Sequence, residues 1–230
     1  MFLLIIALAA FASTLLGGLL ALGLRDKLHL ILGFSAGAVV GVAFFDLLPE
    51  AINMGLGGPR AIFSWAAAGF LAYLLLDRIL LSHADSAPRG NVGAGVLCGH
   101  SLLDGVAIGL AFQASRSVGI VVTIAVLTHD FSDGINTMNI VFRNGGDRSR
   151  AFRWLLADAA APVAGIAATR LFDLPVDRFG PVLALFAGFF LYIGASDLIP
   201  ESYHAHPKFL TTAMTLAGAL VIYLAIALVG

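Results

Sequence analysis

Residues 92–114 read VGAGVLCGHSLLDGVAIGLAFQA. The run is long enough to cross a bilayer, which takes about 20 mostly apolar residues of helix. Its only carboxylate, Asp104, and its only histidine, His100, sit near its middle. Composition supports the membrane reading. Of 230 residues, 60% are hydrophobic and 12% charged, where an ordinary soluble domain is about one quarter charged. Mean hydropathy is +0.96. Outward from 92–114, seven further segments have the same character: roughly 2–23, 30–51, 60–81, 117–142, 151–170, 179–200 and 208–229. The runs are continuous, not alternating, which argues against a β-barrel. The expected fold class is an all-α integral membrane protein with eight transmembrane helices.

The first segment carries AFA at 10–12, which resembles a signal-peptide cleavage site. It lacks the basic stretch that precedes such a site, so it is expected to span. The longest polar break, SHADSAPRGN at 82–91, is too short for a domain. One transmembrane domain over 1–230 is expected. It would comprise helices one to three (about 2–81), a central pair (about 92–142) and helices six to eight (about 151–229). A net charge of −1 shows no basic footprint for nucleic acid. The single cysteine excludes an internal disulfide framework and a Cys-rich metal site. With the N-terminus outside, the inner ends hold Arg25, Lys27, Arg78, Arg89, Arg143, Arg148, Arg150, Arg153 and Lys208. The outer ends hold Arg60, Arg116, Arg170 and Arg178. Positive charge favours the cytoplasm, so both termini are expected outside.

HSLLDG at 100–105 and HDFSDG at 129–134 both read His-x-x-x-Asp-Gly. Residues four apart share a helix face, so His100 pairs with Asp104 and His129 with Asp133. Asp130 flanks the second face, Ser101 is its counterpart on the first, and Asn136 continues the His129–Asp133 stripe. Two facing helices would offer imidazoles, carboxylates, a hydroxyl and an amide. Without thiolate that set suits Zn²⁺, Fe²⁺ or Mn²⁺. The bland reading is polar glue between helices. But a charge near the membrane centre costs on the order of 3 kcal/mol, and three carboxylates on adjacent helices repel unless protonated or bound to a cation. Ion binding is therefore the expectation. Asp158, inside the sixth segment, is a further candidate for the site. Pro162, four residues on, frees a backbone carbonyl nearby.

FFDLLPEA at 44–51 and GASDLIPES at 194–202 repeat a pattern. Asp46, Pro49 and Glu50 match Asp197, Pro200 and Glu201 at one offset, 151 residues. The two segments are an odd number of crossings apart and so run in opposite senses. This suits a 3+2+3 inverted repeat, a transporter signature. Asp46, Glu50, Asp197 and Glu201 would line a pathway or sit as interfacial carboxylates in water; both readings stand. Gly33, Gly37 and Gly41, and Gly105 and Gly109, are four apart. That spacing lets helices approach closely, inside the bundle or across a homodimer, with internal packing favoured.

The residues quoted so far resemble the ZIP (Zrt/Irt-like) metal transporters over nearly the whole chain. SAGAVVGVAFFDLLPEA at 35–51, HSLLDG, HDFSDG and AGFFLYIGASDLIPES at 187–202 carry the likeness. The resemblance implies eight helices in a 3+2+3 inverted repeat with both termini outside the cell (inner or plasma) membrane. It implies carriage of divalent metals toward the cytoplasm by alternating access. Zn²⁺ is the expected substrate, with Fe²⁺ or Mn²⁺ as alternatives and Cd²⁺ and Co²⁺ as further candidates. It also implies a two-metal site formed by the central motifs, with Asp104, Asp130 and Asp133 as bridges, and no catalytic residue or resident cofactor. The family pattern His-Asn-x-Pro-Glu-Gly reads His100, Ser101, Leu102, Leu103, Asp104, Gly105 here; the helix-five proline is Ser132. Family members often have a glutamate at the position of Ala161, and Asp158 lies one turn earlier as its substitute. The runner-up reading is an intramembrane zinc hydrolase, against which stands the absence of His-Glu-x-x-His.

Overall fold

The computed structural model describes residues 2–20, 28–55, 57–82, 89–204 and 209–229. Among these, eight helices are long and apolar enough to cross a membrane: α1 (Phe2–Leu20), α2 (His29–Met54), α3 (Gly58–Ile79), α4 (Asn91–Ala114), α5 (Arg116–Phe142), α6 (Arg148–Leu171), α7 (Val176–Tyr203) and α8 (Phe209–Leu228). No strand occurs among the described residues. The expectations placed on Arg25, Lys27 and Lys208 fall outside the described residues, as does most of the 82–91 break.

Two helices run on beyond their sequence-expected ends. The 44–51 and 194–202 motifs lie inside α2 and α7, not at their termini. Each helix opens into a π-helical segment, Ala43–Leu47 in α2 and Ile193–Leu198 in α7. Pro49 and Pro200 follow. A proline has no N–H to return to the preceding turn, and widening the helix by one residue accommodates that break without ending it.

The chain divides into two compact units. The first comprises 1–26, 75–109 and 126–172, and so contains α1, most of α4 and α5, and α6. In it, α1 meets α5 and α4 meets α6 through glycines that touch backbone. A methyl on Gly17 would overlap the carbonyl of Phe131, and one on Gly134 that of Thr14. Gly105 stands likewise against Pro162, and Gly165 against Leu102. Ser13 Oγ adds a hydrogen bond across the α1–α5 seam, donating to the Leu127 carbonyl at 2.9 Å.

The second unit comprises 27–74, 110–125 and 173–230, with α2, most of α3, α7 and α8. Its seams are built the same way. Gly37 stands on Thr215 and Gly218 on Phe34 between α2 and α8; Gly69 stands on Leu185 and Gly188 on Ala66 between α3 and α7. Tyr73 and Tyr192 stack across the α3–α7 seam with centroids 5.2 Å apart. Gly33 and Gly41 also face α8, and Gly109 faces Thr169 of α6. The four-apart glycines thus serve internal packing, as their spacing suggested. Outward faces are apolar: Leu8 and Leu16 of α1, Leu71 of α3, and Leu216 and Leu220 of α8 are all exposed, as a lipid-facing surface requires.

Candidate metal centre

α4 and α5 each place a His-x-x-x-Asp pair on one face, and the two faces come together in the first unit. Asp104 Oδ2 lies 3.1 Å from His100 Nε2 and 3.3 Å from His129 Nε2. Asp133 Oδ2 lies 3.5 Å from His100 Nε2 and 4.0 Å from His129 Nε2. The four atoms form a closed ring, nitrogen and oxygen alternating. One ligand atom from each of the four lies within 4.8 Å of the others. A tetrahedral ion with ligand bonds of about 2.0–2.1 Å needs ligand atoms about 3.3–3.4 Å apart. The four ring edges bracket that separation, and the whole group fits within 4.8 Å, so the ring is of a size to close on a cation. All four residues are buried, His129 completely. The imidazole rings are 5.5 Å apart and inclined by 47°.

Glycine and hydroxyl chemistry positions these side chains. Gly105 follows Asp104 and lets α6 lie against α4; Gly134 follows Asp133 and lets α1 lie against α5. The His-x-x-x-Asp-Gly motif therefore combines two candidate ligands with the small residue that packs the helix bearing them. Ser132, where the family pattern has proline, donates its hydroxyl to the His129 carbonyl at 2.7 Å.

The remaining sequence-expected residues divide. Asp130 is fully buried, and neither of its oxygens has a hydrogen-bond partner. Buried carboxylates of that kind are rare and call for a specific explanation. Ser101 and Asp158 meet each other: Ser101 Oγ donates to Asp158 Oδ1 at 2.7 Å. The second oxygen of Asp158 accepts from Thr137 Oγ1, also at 2.7 Å. Asn136 is half-buried beside this stripe, and Cys98 is half-buried and free. Thr137 was not among the expected residues. Its signal was there, because it lies four residues after Asp133 and eight after His129 on the same helical stripe.

Asp46, Glu50, Asp197 and Glu201 belong to the second unit. Asp46 is half-buried at the π segment of α2, with Oδ2 buried and unpartnered. Glu50 is half-buried and accepts a long hydrogen bond from Asn53 at 3.5 Å. Asp197 and Glu201 are exposed.

The sequence model of the ZIP zinc transporters matches residues 94–226, more than half of the chain, including both central motifs. The chain belongs to the ZIP zinc transporter family. Zinc transporter ZIP13 of Pongo abelii is 27% identical over 188 residues, covering 74% of this chain and 57% of that protein. ZIP13 of Mus musculus is 24% identical over 225 residues, covering 76% and 62%. Zinc transporter SLC39A7 of Mus musculus is 33% identical over 110 residues, 44% of this chain and 23% of that protein. The chain thus spans less than two thirds of the length of each of these relatives. Family membership and eight apolar helices make it a multi-pass membrane protein of ZIP type, and the His/Asp ring is the group within it that could hold a metal ion.

Proposed function

We propose that this chain carries divalent transition-metal ions across a membrane, with Zn²⁺ the substrate and Fe²⁺ and Mn²⁺ its nearest competitors. The observation that carries the reading is the closed ring of His100, Asp104, His129 and Asp133 in the apolar interior. An ion entering the ring exchanges its water for two imidazoles and two carboxylates. Their charges match a divalent cation, and no thiolate draws the site toward Cu⁺. Asp130 adds an unpartnered carboxylate beside His129. The relatives are transporters by name, and the hydrolase alternative has no feature in its favour.

The ion moves toward the cytoplasm by alternating access, in a chain that acts as one transport domain. Both termini are outside the cell membrane, and Asp46, Glu50, Asp197 and Glu201 line the route. The charge bias of the loops supports the orientation. A 3+2+3 inverted repeat is supported by the register of the glycine seams. Gly17 and Thr14 of α1 correspond to Gly165 and Pro162 of α6 at an offset of 148. Gly37 and Phe34 of α2 correspond to Gly188 and Leu185 of α7 at 151. Gly69 and Ala66 of α3 correspond to Gly218 and Thr215 of α8 at 149. The central pair follows at 29, Gly105 and Leu102 against Gly134 and Phe131. Under this correspondence the α1–α5 seam maps onto α6–α4, and α3–α7 onto α8–α2.

The test is metal uptake into proteoliposomes, one metal at a time, for wild type and Asp104→Ala. Asp104 is the carboxylate nearest both imidazoles. Saturable uptake is expected for wild type and not for the variant. Normal uptake by a well-folded Asp104→Ala protein would overturn the assignment.

A further inference from the structure

Asp158 of α6 is fully buried, and both of its oxygens are engaged. One accepts from α4 and the other from α5, from hydroxyls that are themselves fully buried. The carboxylate is therefore a two-point clasp on the helices that carry the metal ligands. Its attachment points are close to the ring. Ser101 follows His100 and precedes Asp104 by three residues; Thr137 is one turn beyond Asp133. The α4–α6 seam makes the reach possible, since Gly105 against Pro162 and Gly165 against Leu102 let the two backbones touch one and two turns from Asp158. Hydroxyl–carboxylate hydrogen bonds of 2.7 Å have normal, well-formed geometry, and in an apolar interior they are costly to break.

We propose that Asp158 is a positioning residue. Through Ser101 and Thr137 it sets the separation and register of α4 and α5, and so the edge lengths of the four-ligand ring, which binds one ion. This rests on the ring being the metal site. Each Asp158 oxygen already accepts a hydrogen bond inside the protein, so an ion there would compete with Ser101 and Thr137 for the carboxylate, whereas the four ring residues face one another directly. Removing a group that orients ligands from outside the shell lowers metal affinity by about 10- to 100-fold.

The experiment measures metal content per purified chain, Zn²⁺ affinity by chelator competition, and the visible absorption of the Co²⁺-loaded protein. Wild type should hold one ion. Thr137→Val and Ser101→Ala should still hold one, with affinity lowered at least about tenfold and a shifted Co²⁺ spectrum. Asp158→Asn keeps one acceptor oxygen and should fall between wild type and Asp158→Ala. If Asp158→Ala does not fold, Thr137→Val, which keeps the shape, carries the test alone. A clasp that only holds helices together would lower thermal stability and leave affinity and spectrum unchanged; that result would overturn the proposal. So would two ions in wild type falling to one in Asp158→Asn, which would make Asp158 a ligand. A wild type that binds neither Zn²⁺ nor Co²⁺ would overturn the metal site itself, and this inference with it.

Discussion

In the first unit Gly17 and Gly134 let α1 lie against α5; in the second, Gly37 and Gly218 do the same for α2 and α8. Each unit has two such seams, and each seam is a reciprocal pair of glycines facing carbonyls. What the units bury between their helices differs. The first buries His100, Ser101, Asp104, His129, Asp130, Asp133, Thr137 and Asp158. The second keeps Asp46 and Glu50 half-buried and Asp197 and Glu201 exposed. Backbone approach requires only a missing side chain, so it can be repeated at any helix crossing in lipid. A buried charge is costly and so is placed selectively; among the described residues the buried carboxylates are all in the first unit.

The asymmetry extends within the first unit. At the offset of 29, Ser101 corresponds to Asp130 and Ile108 to Thr137; at the offset of 148, Ala10 corresponds to Asp158. Under the proposed repeat, the hydrogen-bonded group of Ser101, Thr137 and Asp158 thus has no counterpart. Where Ser101 has Asp158 to bind, Asp130 is left without a hydrogen-bond partner.

The largest effect should come from the shared feature. Gly134→Val and Gly37→Val each drive a side chain into a backbone carbonyl, and overpacking of that kind costs about 3 kcal/mol or more. Both should abolish recovery of monodisperse protein by size-exclusion chromatography. Gly99→Ala, with open space around it, should be recovered normally. Recovery of one valine variant and not the other would show that the two seams are not equivalent. A smaller effect should separate the units. An ion bound at a hundred times its Kd stabilises the native state by about 2.7 kcal/mol. Zn²⁺ should therefore raise the melting temperature of wild type and of Asp197→Asn, and not that of His129→Ala. A shift retained in His129→Ala would move the binding site out of the first unit. The smallest effect belongs to the second unit's carboxylates. Asp46→Asn or Glu201→Gln should change the uptake KM by about fivefold or less, the scale of a partly solvated charge contact of up to about 1 kcal/mol. Loss of uptake in either would make the π segment part of the site itself.

The spans were legible because each is a continuous apolar run bounded by polar residues, and expected limits such as 117–142 lie within a few residues of Arg116–Phe142. The His-x-x-x-Asp-Gly pairs were legible because helical periodicity alone puts residues four apart on one face. The ends of α2 and α7 were not. A proline after Asp46 or Asp197 signals an interrupted ladder, and only the surrounding packing decides whether the helix stops or passes through a π segment. Thr137 was passed over for Asn136 because 3.6 residues per turn falls between the two, and what selects Thr137 is the carboxylate of another helix.

By itself the sequence determined eight segments long and apolar enough to cross a membrane, two consecutive ones of which carry His-x-x-x-Asp pairs, because hydrophobic length and i,i+4 spacing are local properties of a helix. It also contained the matching motifs 151 and 29 residues apart, while the glycine seams became visible only in the packed helices. Tertiary structure decided which carboxylates close a ring and which clasp hydroxyls. Asp104 and Asp158 are both buried acids in apolar helices; local spacing pairs Asp104 with His100, but it does not say what either acid meets on another helix. Asp104 meets two imidazoles, and Asp158 meets Ser101 and Thr137. Those partners are contributed by other helices, and a few ångströms of helix placement determine which of them each acid reaches.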